Sequence, residues 1–270
     1  MKDKTQVFMM GAVMILTIVL IVSIFAGQLN METKASEEHT EETMQEAALL
    51  EENIQEEVVQ EDVVQEDVVQ EEPAFTVSEA SYFDDALFIG DSRTVGLCEY
   101  GTLQSADYFA STGLSIYKLW EEKISVEDVG KVTLQQILEA KDYGKIYIML
   151  GINELGYQTE KTIQKNEETI RRLKEKEPDA IIYVCANLHV TKARSDRDKL
   201  INNKKIDAFN EELRALTDNN GVYYIDVNEE FDDERGNLRA ECTGDDVHVY
   251  AKYYQDWSDW LCKNTVQRGN

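Results

Sequence analysis

The stretch Ala86-Leu87-Phe88-Ile89-Gly90-Asp91-Ser92-Arg93 decides the reading of this chain. Its apolar run stops abruptly at Gly-Asp-Ser, directly before a helix-compatible segment. That pattern predicts a buried parallel strand delivering Ser92 to the carboxyl edge of an α/β sheet, where such sheets place their chemistry. The following helix aims its backbone N–H groups and positive dipole end at whatever lies beside Ser92, which suits an oxyanion. Taken by itself the tripeptide fits better a strand-to-helix turn in which Asp91 or Ser92 merely caps the helix. The rest of the chain separates the two.

Working outward, short apolar runs alternate with amphipathic ones across residues 77–270. Strands are expected at 86–89, 108–110, 145–150, 180–186 and 222–226. Helices are expected at 93–100, 115–123, 134–142, 159–176, 198–219 and 250–263, with Pro178 and Asn219-Asn220-Gly221 as punctuation. This alternation predicts a three-layer α/β/α sandwich around a mainly parallel, about five-stranded sheet. Four places follow strands or gather polar residues: Ser92, the Ser111-Thr112-Gly113 turn, Gly151-Ile152-Asn153-Glu154, and Thr243-Gly244-Asp245-Asp246-Val247-His248.

Only His39, His189 and His248 could serve a serine as base. His39 lies in an acidic strip far from the domain. His248 has Asp245 three residues before it, within reach of Nδ1, as a base needs if its tautomer is to be fixed. His189 follows the fourth expected strand and is the rival, without an acid near it in sequence. The aromatic residues Tyr253, Tyr254, Trp257 and Trp260 could stack on sugars, but fit a core-packing amphipathic helix at least as well.

These residues resemble the ordered blocks of the SGNH, or GDSL-type, hydrolases: Gly90-Asp91-Ser92, Gly113, Gly151-x-Asn153 and Asp245-x-x-His248, covering most of residues 84–250. The resemblance implies the flavodoxin-like SGNH hydrolase fold and a serine esterase that uses no metal or other cofactor. Ser92 would be the nucleophile, His248 the general base and Asp245 its orienting acid. The Ser92 and Gly113 backbone N–H groups and the Asn153 side-chain amide would form the oxyanion hole. Two positions depart from the family pattern. Glu154 stands where aspartate is usual, and Asp246 stands where glycine is common, adding a carboxylate near the histidine that either raises the imidazole pKa or faces solvent. No Gly-x-Ser-x-Gly elbow is present, which disfavours the α/β-hydrolase reading.

The N-terminal part reads differently. Residues 7–26 form an uncharged apolar run of the length a helix needs to cross a bilayer, longer than the apolar core of a secretory signal peptide. Lys2 and Lys4 place the first six residues inside and everything from Gly27 outside. Residues 31–72 then hold sixteen acidic residues against one base, Lys34, and include the five-residue repeats 56–60, 61–65 and 66–70. A period of five suits neither coiled coil nor strand, so 27–76 is expected to be a disordered, solvated stalk carrying the domain at 77–270.

The formal net charge of -26 leaves no basic surface for nucleic acid. Cys98, Cys185, Cys242 and Cys262 lack metal-ligand spacing. Cys185 is expected to be a buried thiol, and Cys242 with Cys262 is the candidate disulfide. The predicted function is a membrane-anchored, extracytoplasmic serine esterase on small acyl esters, O-acetyl groups of cell-wall or secreted carbohydrate first. The alternatives are a lysophospholipase or other short-chain lipid esterase, an acyltransferase to carbohydrate, and a stalked glycan- or protein-binding module.

Overall fold

The computed structural model describes residues 75–267. The expected anchor at 7–26, the cytoplasmic residues before it and nearly all of the acidic stalk lie outside the described residues. Among the described residues no helix is long and apolar enough to cross a membrane.

In chain order the strands are β1 (Ala86–Gly90), β2 (Asp107–Ala110), β3 (Ile124–Val126), β4 (Gly130–Val132), β5 (Lys145–Met149), β6 (Ile181–Cys185) and β7 (Val222–Ile225). The helices are α1 (Ser92–Tyr100), α2 (Leu134–Ala140), α3 (Thr159–Lys176), α4 (Lys192–Arg197), α5 (Asn203–Arg214), α6 (Asn228–Phe231) and α7 (Tyr254–Lys263). Five strands pair in parallel in the order β2-β1-β5-β6-β7. The five expected strands are therefore all present. Strand order reverses between β1 and β5, the position at which a doubly wound sheet opens a crevice beyond its carboxyl ends.

Strand periodicity sorts the core into two layers. Leu87, Ile89, Ile146, Ile148, Ile182 and Val184 face α2, α3 and α5, meeting Ile137, Leu173 and Phe209. Their neighbours Phe88, Tyr147, Met149 and Tyr183 face α1 and α7, meeting Leu97, Trp257 and Leu261. On this second face one register position carries an aromatic ring on each of the five strands, with Tyr223 on β7 ending the row. Tyr108, Phe88, Tyr147 and Tyr183 stack at centroid distances of 5.1, 4.5 and 4.3 Å. Such in-register ring pairs hold strands against a one-residue slip, which would turn every ring to the wrong face.

The chain enters and leaves this domain at one place. Thr76 N donates to Thr265 O at 2.7 Å and Thr265 N to Thr76 O at 3.1 Å, and Ser78 N donates to Cys262 O. Tyr82 reinforces the clasp, its hydroxyl donating to Val266 O at 2.8 Å.

Three expectations need correction, and one pair of strands was not expected. Residues 115–123 form successive turns instead of a helix, because the Ile116 N–H is taken by the Glu154 carboxylate and Ile116 and Leu119 turn inward. A two-stranded antiparallel hairpin, β3–β4, follows them, its turn using Asp128 at φ 58° and Gly130 at φ 93°. The helix expected at 198–219 is shortened to α5 at Asn203–Arg214, since Asp198 Oδ1 accepts from Leu200 N and Ile201 N and holds the chain in a turn between α4 and α5. All four cysteines are free. Cys242 and Cys262 contribute separately to the apolar layer under α7 instead of pairing, and Cys185 is the buried thiol expected.

Candidate active site

β1 ends at Gly90, where any side chain would collide with the Thr94 hydroxyl and the Met149 carbonyl. Its glycine lets the chain turn tightly into α1. Asp91 caps that helix, Oδ1 accepting from Arg93 N at 3.0 Å. Ser92 is the first helical residue, where backbone N–H groups lack an intrahelical acceptor and the dipole is positive. The capping alternative and the functional one thus fall to adjacent residues.

His248 reaches Ser92 from the other end of the chain, Nε2 lying 2.8 Å from Ser92 Oγ. Behind it, His248 Nδ1 lies 2.7 Å from Asp245 Oδ2. Asp245 is itself held by its own turn, Oδ1 accepting from Val247 N at 2.9 Å and His248 N at 2.8 Å. Partial burial works against its charge, but these two N–H donors and the imidazole outweigh it and hold the carboxyl well below the usual range. An ionised carboxylate only accepts, so Nδ1 carries the proton and the neutral ring offers its Nε2 lone pair to the serine hydroxyl.

Asp246 takes neither of its expected roles. At φ 72° it occupies the left-handed conformation that favours glycine, and it turns away from His248. Its carboxylate accepts from Thr191 Oγ1 at 2.8 Å and Arg197 Nη2 at 2.6 Å, fastening the histidine loop to α4.

The oxyanion candidates converge as well. Gly113 sits at φ 77° in a turn whose flanks make its hydrogen bonds, Ser111 N to Gly90 O and Leu114 N to Ser111 O. Asn153 follows β5 in a short 3-10 turn, and its Nδ2 donates to Leu114 O at 3.2 Å and Asp91 Oδ2 at 3.4 Å. One amide therefore touches the neighbour of Gly113 and the neighbour of Ser92. Glu154 braces the same turn: only 2% exposed, it accepts from Ile116 N at 2.8 Å. Burial pushes its carboxyl above the ordinary value against the pull of Ser115 and the Ile116 N–H.

His189 does not approach Ser92. Its Nδ1 lies 2.6 Å from Asp232 Oδ2 and its Nε2 2.7 Å from Asp207 Oδ1. Carboxylates facing both nitrogens favour the protonated form of this ring. Burial opposes its charge, yet the two carboxylates together raise its pKa above the ordinary value. A folded-state pKa raised above the unfolded value of about 6.5 gives stability that is full below that value and lost as pH rises through the folded value. Chemical denaturation of the parent should show a midpoint falling across that alkaline-going window, and His189→Gln should lack that segment of the slope. Parallel pH profiles would dismiss the imidazolium.

Two supporting features escape sequence reading. Arg93, 1% exposed, lies under the site with Nη2 donating to Leu188 O at 3.2 Å and Val247 O at 3.4 Å. Four buried asparagines hold the segment after β6. Asn210 Oδ1 accepts from Asn187 N, Asn187 O accepts from Asn210 and Asn228, and Asn203 both donates to and accepts from Val190. Their only trace in the sequence is polar amides inside otherwise apolar surroundings, as at Asn187. The aromatics considered for sugar stacking prove structural: Tyr254, Trp257 and Trp260 are buried, and Tyr253 is half-buried against the same core.

Three cavities of about 680, 250 and 20 Å³ are lined by other residues, on the α3 face, beside β2, and between α1 and α7. The Ser92–His248 pair lies in the open, with the His248 side chain 41% exposed.

Comparison with curated proteins finds no match. Among solved structures, a Streptococcus pneumonia protein provisionally described as a platelet activating factor aligns at TM-score 0.51 and 22% identity, covering 67% of this chain and 88% of its own. A GDSL-like lipase from Bacteroides thetaiotaomicron aligns at TM-score 0.51 and 16% identity over 68% and 87% of the two chains. A Bacteroides fragilis protein provisionally described as an acylhydrolase gives 0.50 and 15% over 65% and 83%. These likenesses concern the fold. The sequence model of the GDSL-like lipase/acylhydrolase family matches residues 88–255, from within β1 into α7, and so spans every site residue described above. The chain belongs to this family of ester-hydrolysing enzymes.

Proposed function

We propose that the chain is a serine esterase acting on small acyl esters, with O-acetyl groups on carbohydrate as its first substrate class. The observation that carries the reading is the continuous series Ser92 Oγ, His248 Nε2, His248 Nδ1 and Asp245 Oδ2, with contacts of 2.8 and 2.7 Å. His248 takes the Ser92 proton as Oγ bonds to the acyl carbon, and then passes that proton to the departing alcohol oxygen. Water attacks the acyl-enzyme by the same route, losing its proton to His248 and restoring Ser92. Asp245 keeps the ring in its tautomer and stabilises the imidazolium. The Ser92 and Gly113 N–H groups and the Asn153 amide receive the tetrahedral oxyanion. The open approach to His248 suits an ester carried on a bulky alcohol. The anchor at 7–26 would place this chemistry outside the membrane.

The test is release of p-nitrophenol from p-nitrophenyl acetate by the full-length protein in detergent. Turnover should vanish in Ser92→Ala and persist in EDTA. Equal rates in parent and variant would overturn the assignment of Ser92, and loss in EDTA would overturn the metal-independent mechanism. Asn153→Ala should fold normally and lose about 10²–10³ in kcat, or roughly 2.7–4 kcal/mol, the cost of one oxyanion donor. Unchanged kcat would remove Asn153 from the mechanism.

A further inference from the structure

Two exposed tyrosines stand on the two loops that carry the oxyanion candidates. Tyr117 lies four residues past Gly113, and Tyr157 four residues past Asn153. Their rings stack at 5.3 Å between centroids and 28° between planes. Tyr157 is 63% exposed and Tyr117 37%, whereas most large aromatic side chains of the domain are in its core. The pair is held in place: Tyr117 Oη lies 3.0 Å from Thr162 Oγ1 on the first turn of α3. The two loops are joined twice more beneath the rings, by Glu154 Oε1 with Ile116 N and by Asn153 Nδ2 with Leu114 O. Leu200, 54% exposed, flanks the second loop beside Gly156.

We propose that Tyr157, backed by Tyr117, is a stacking platform for a sugar ring of the substrate's alcohol portion. The inference rests on the esterase reading above and gives its carbohydrate a place. Four residues of chain reach at most about 14 Å, which bounds how far the Cα of each tyrosine stands from that of the oxyanion candidate on its own loop. A pyranose presents a flat C–H face that covers an aromatic ring while its hydroxyls stay hydrated. An open rim with one wet side fits that partner, and a fatty acyl chain would leave its other side in water. The ring backing matters because a lone exposed tyrosine samples several rotamers. A stacked and hydrogen-bonded one is already ordered and loses little freedom on binding.

The test compares kcat/KM for mono-O-acetylated cellobiose with that for p-nitrophenyl acetate, using full-length protein in detergent. In Tyr157→Ala the ratio of the two should fall about tenfold, through KM for the sugar ester; tenfold is about 1.4 kcal/mol, within the range of one aromatic contact. Tyr157→Phe should keep the ratio, because stacking needs the ring and not the hydroxyl. An unchanged ratio in Tyr157→Ala, or a fall in Tyr157→Phe equal to that in Tyr157→Ala, overturns the platform. A parent with Ser92-dependent turnover of p-nitrophenyl acetate and none of the sugar ester overturns the platform alone. A parent inactive on both overturns the esterase reading, and the platform with it.

Discussion

His248→Ala is expected to lower kcat for p-nitrophenyl acetate by about 10⁴-fold or more, leaving only what the oxyanion hole and binding supply. The Ser92 hydroxyl has one base within hydrogen-bond distance, and without it the proton must leave to water. Asp245 is a poor substitute, since the Val247 and His248 N–H groups on its Oδ1 hold the carboxyl well below the usual range and leave it a weak base. His189 cannot take over, because both its ring nitrogens face carboxylates. The paired measurement is therefore decisive between the two histidines of the domain. His189→Gln should act mainly on stability at neutral pH and below, and His248→Ala on turnover with an unchanged denaturation midpoint. A loss below tenfold in His248→Ala would take that residue out of the proton transfer.

The second large effect concerns stability. Arg93→Leu is expected to cost about 3–5 kcal/mol, the usual result of removing one member of a buried charged pair. Arg93 and Asp91 lie two residues apart and are both essentially without solvent. Burial raises the Asp91 carboxyl and lowers the Arg93 guanidinium from their ordinary values, and each opposes that shift in the other. Leucine would leave Asp91 without its countercharge and release two carbonyls, Leu188 O and Val247 O, from their donor. Val247 precedes the base, so turnover should decline with stability. The urea midpoint should shift down by about 1–3 M for a typical dependence on denaturant. A midpoint within error of the parent would show that the guanidinium contributes little net stability there.

The parts of this molecule legible in the sequence are those written in contiguous residues. β1, β5 and β6 are almost wholly buried runs of apolar residues, and such runs bounded by turns can be read directly. Ser92, Gly113 and Asn153 were legible because each follows a strand of the parallel sheet, and Asp245 with His248 because three residues separate them. What escaped depends on contacts distant in sequence. The Ile116 N–H is claimed by Glu154 across 38 positions, which defeats the helical pattern of 115–123. The two acids of His189 lie 43 and 18 positions away, so its neighbourhood looked empty. Arg93 reads as a polar residue on a surface helix until the Val247 carbonyl, 154 positions on, is brought beneath it. The β3–β4 hairpin escaped for another reason: three residues per strand are too few for alternation to register.

The clasp between Thr76 and Thr265 also sets a path for mechanical load. Chain preceding residue 75 joins the domain beside the end of α7, ahead of β1, whereas Ser92, Gly113 and Asn153 follow the opposite, carboxyl ends of their strands. Tension on that chain falls first on the Thr76–Thr265 bridge, then on Ser78 and Cys262, and reaches the sheet through Tyr82 and its bond to Tyr183. A domain pulled from its N-terminal side would therefore meet the load first at this seam, before any strand of the sheet.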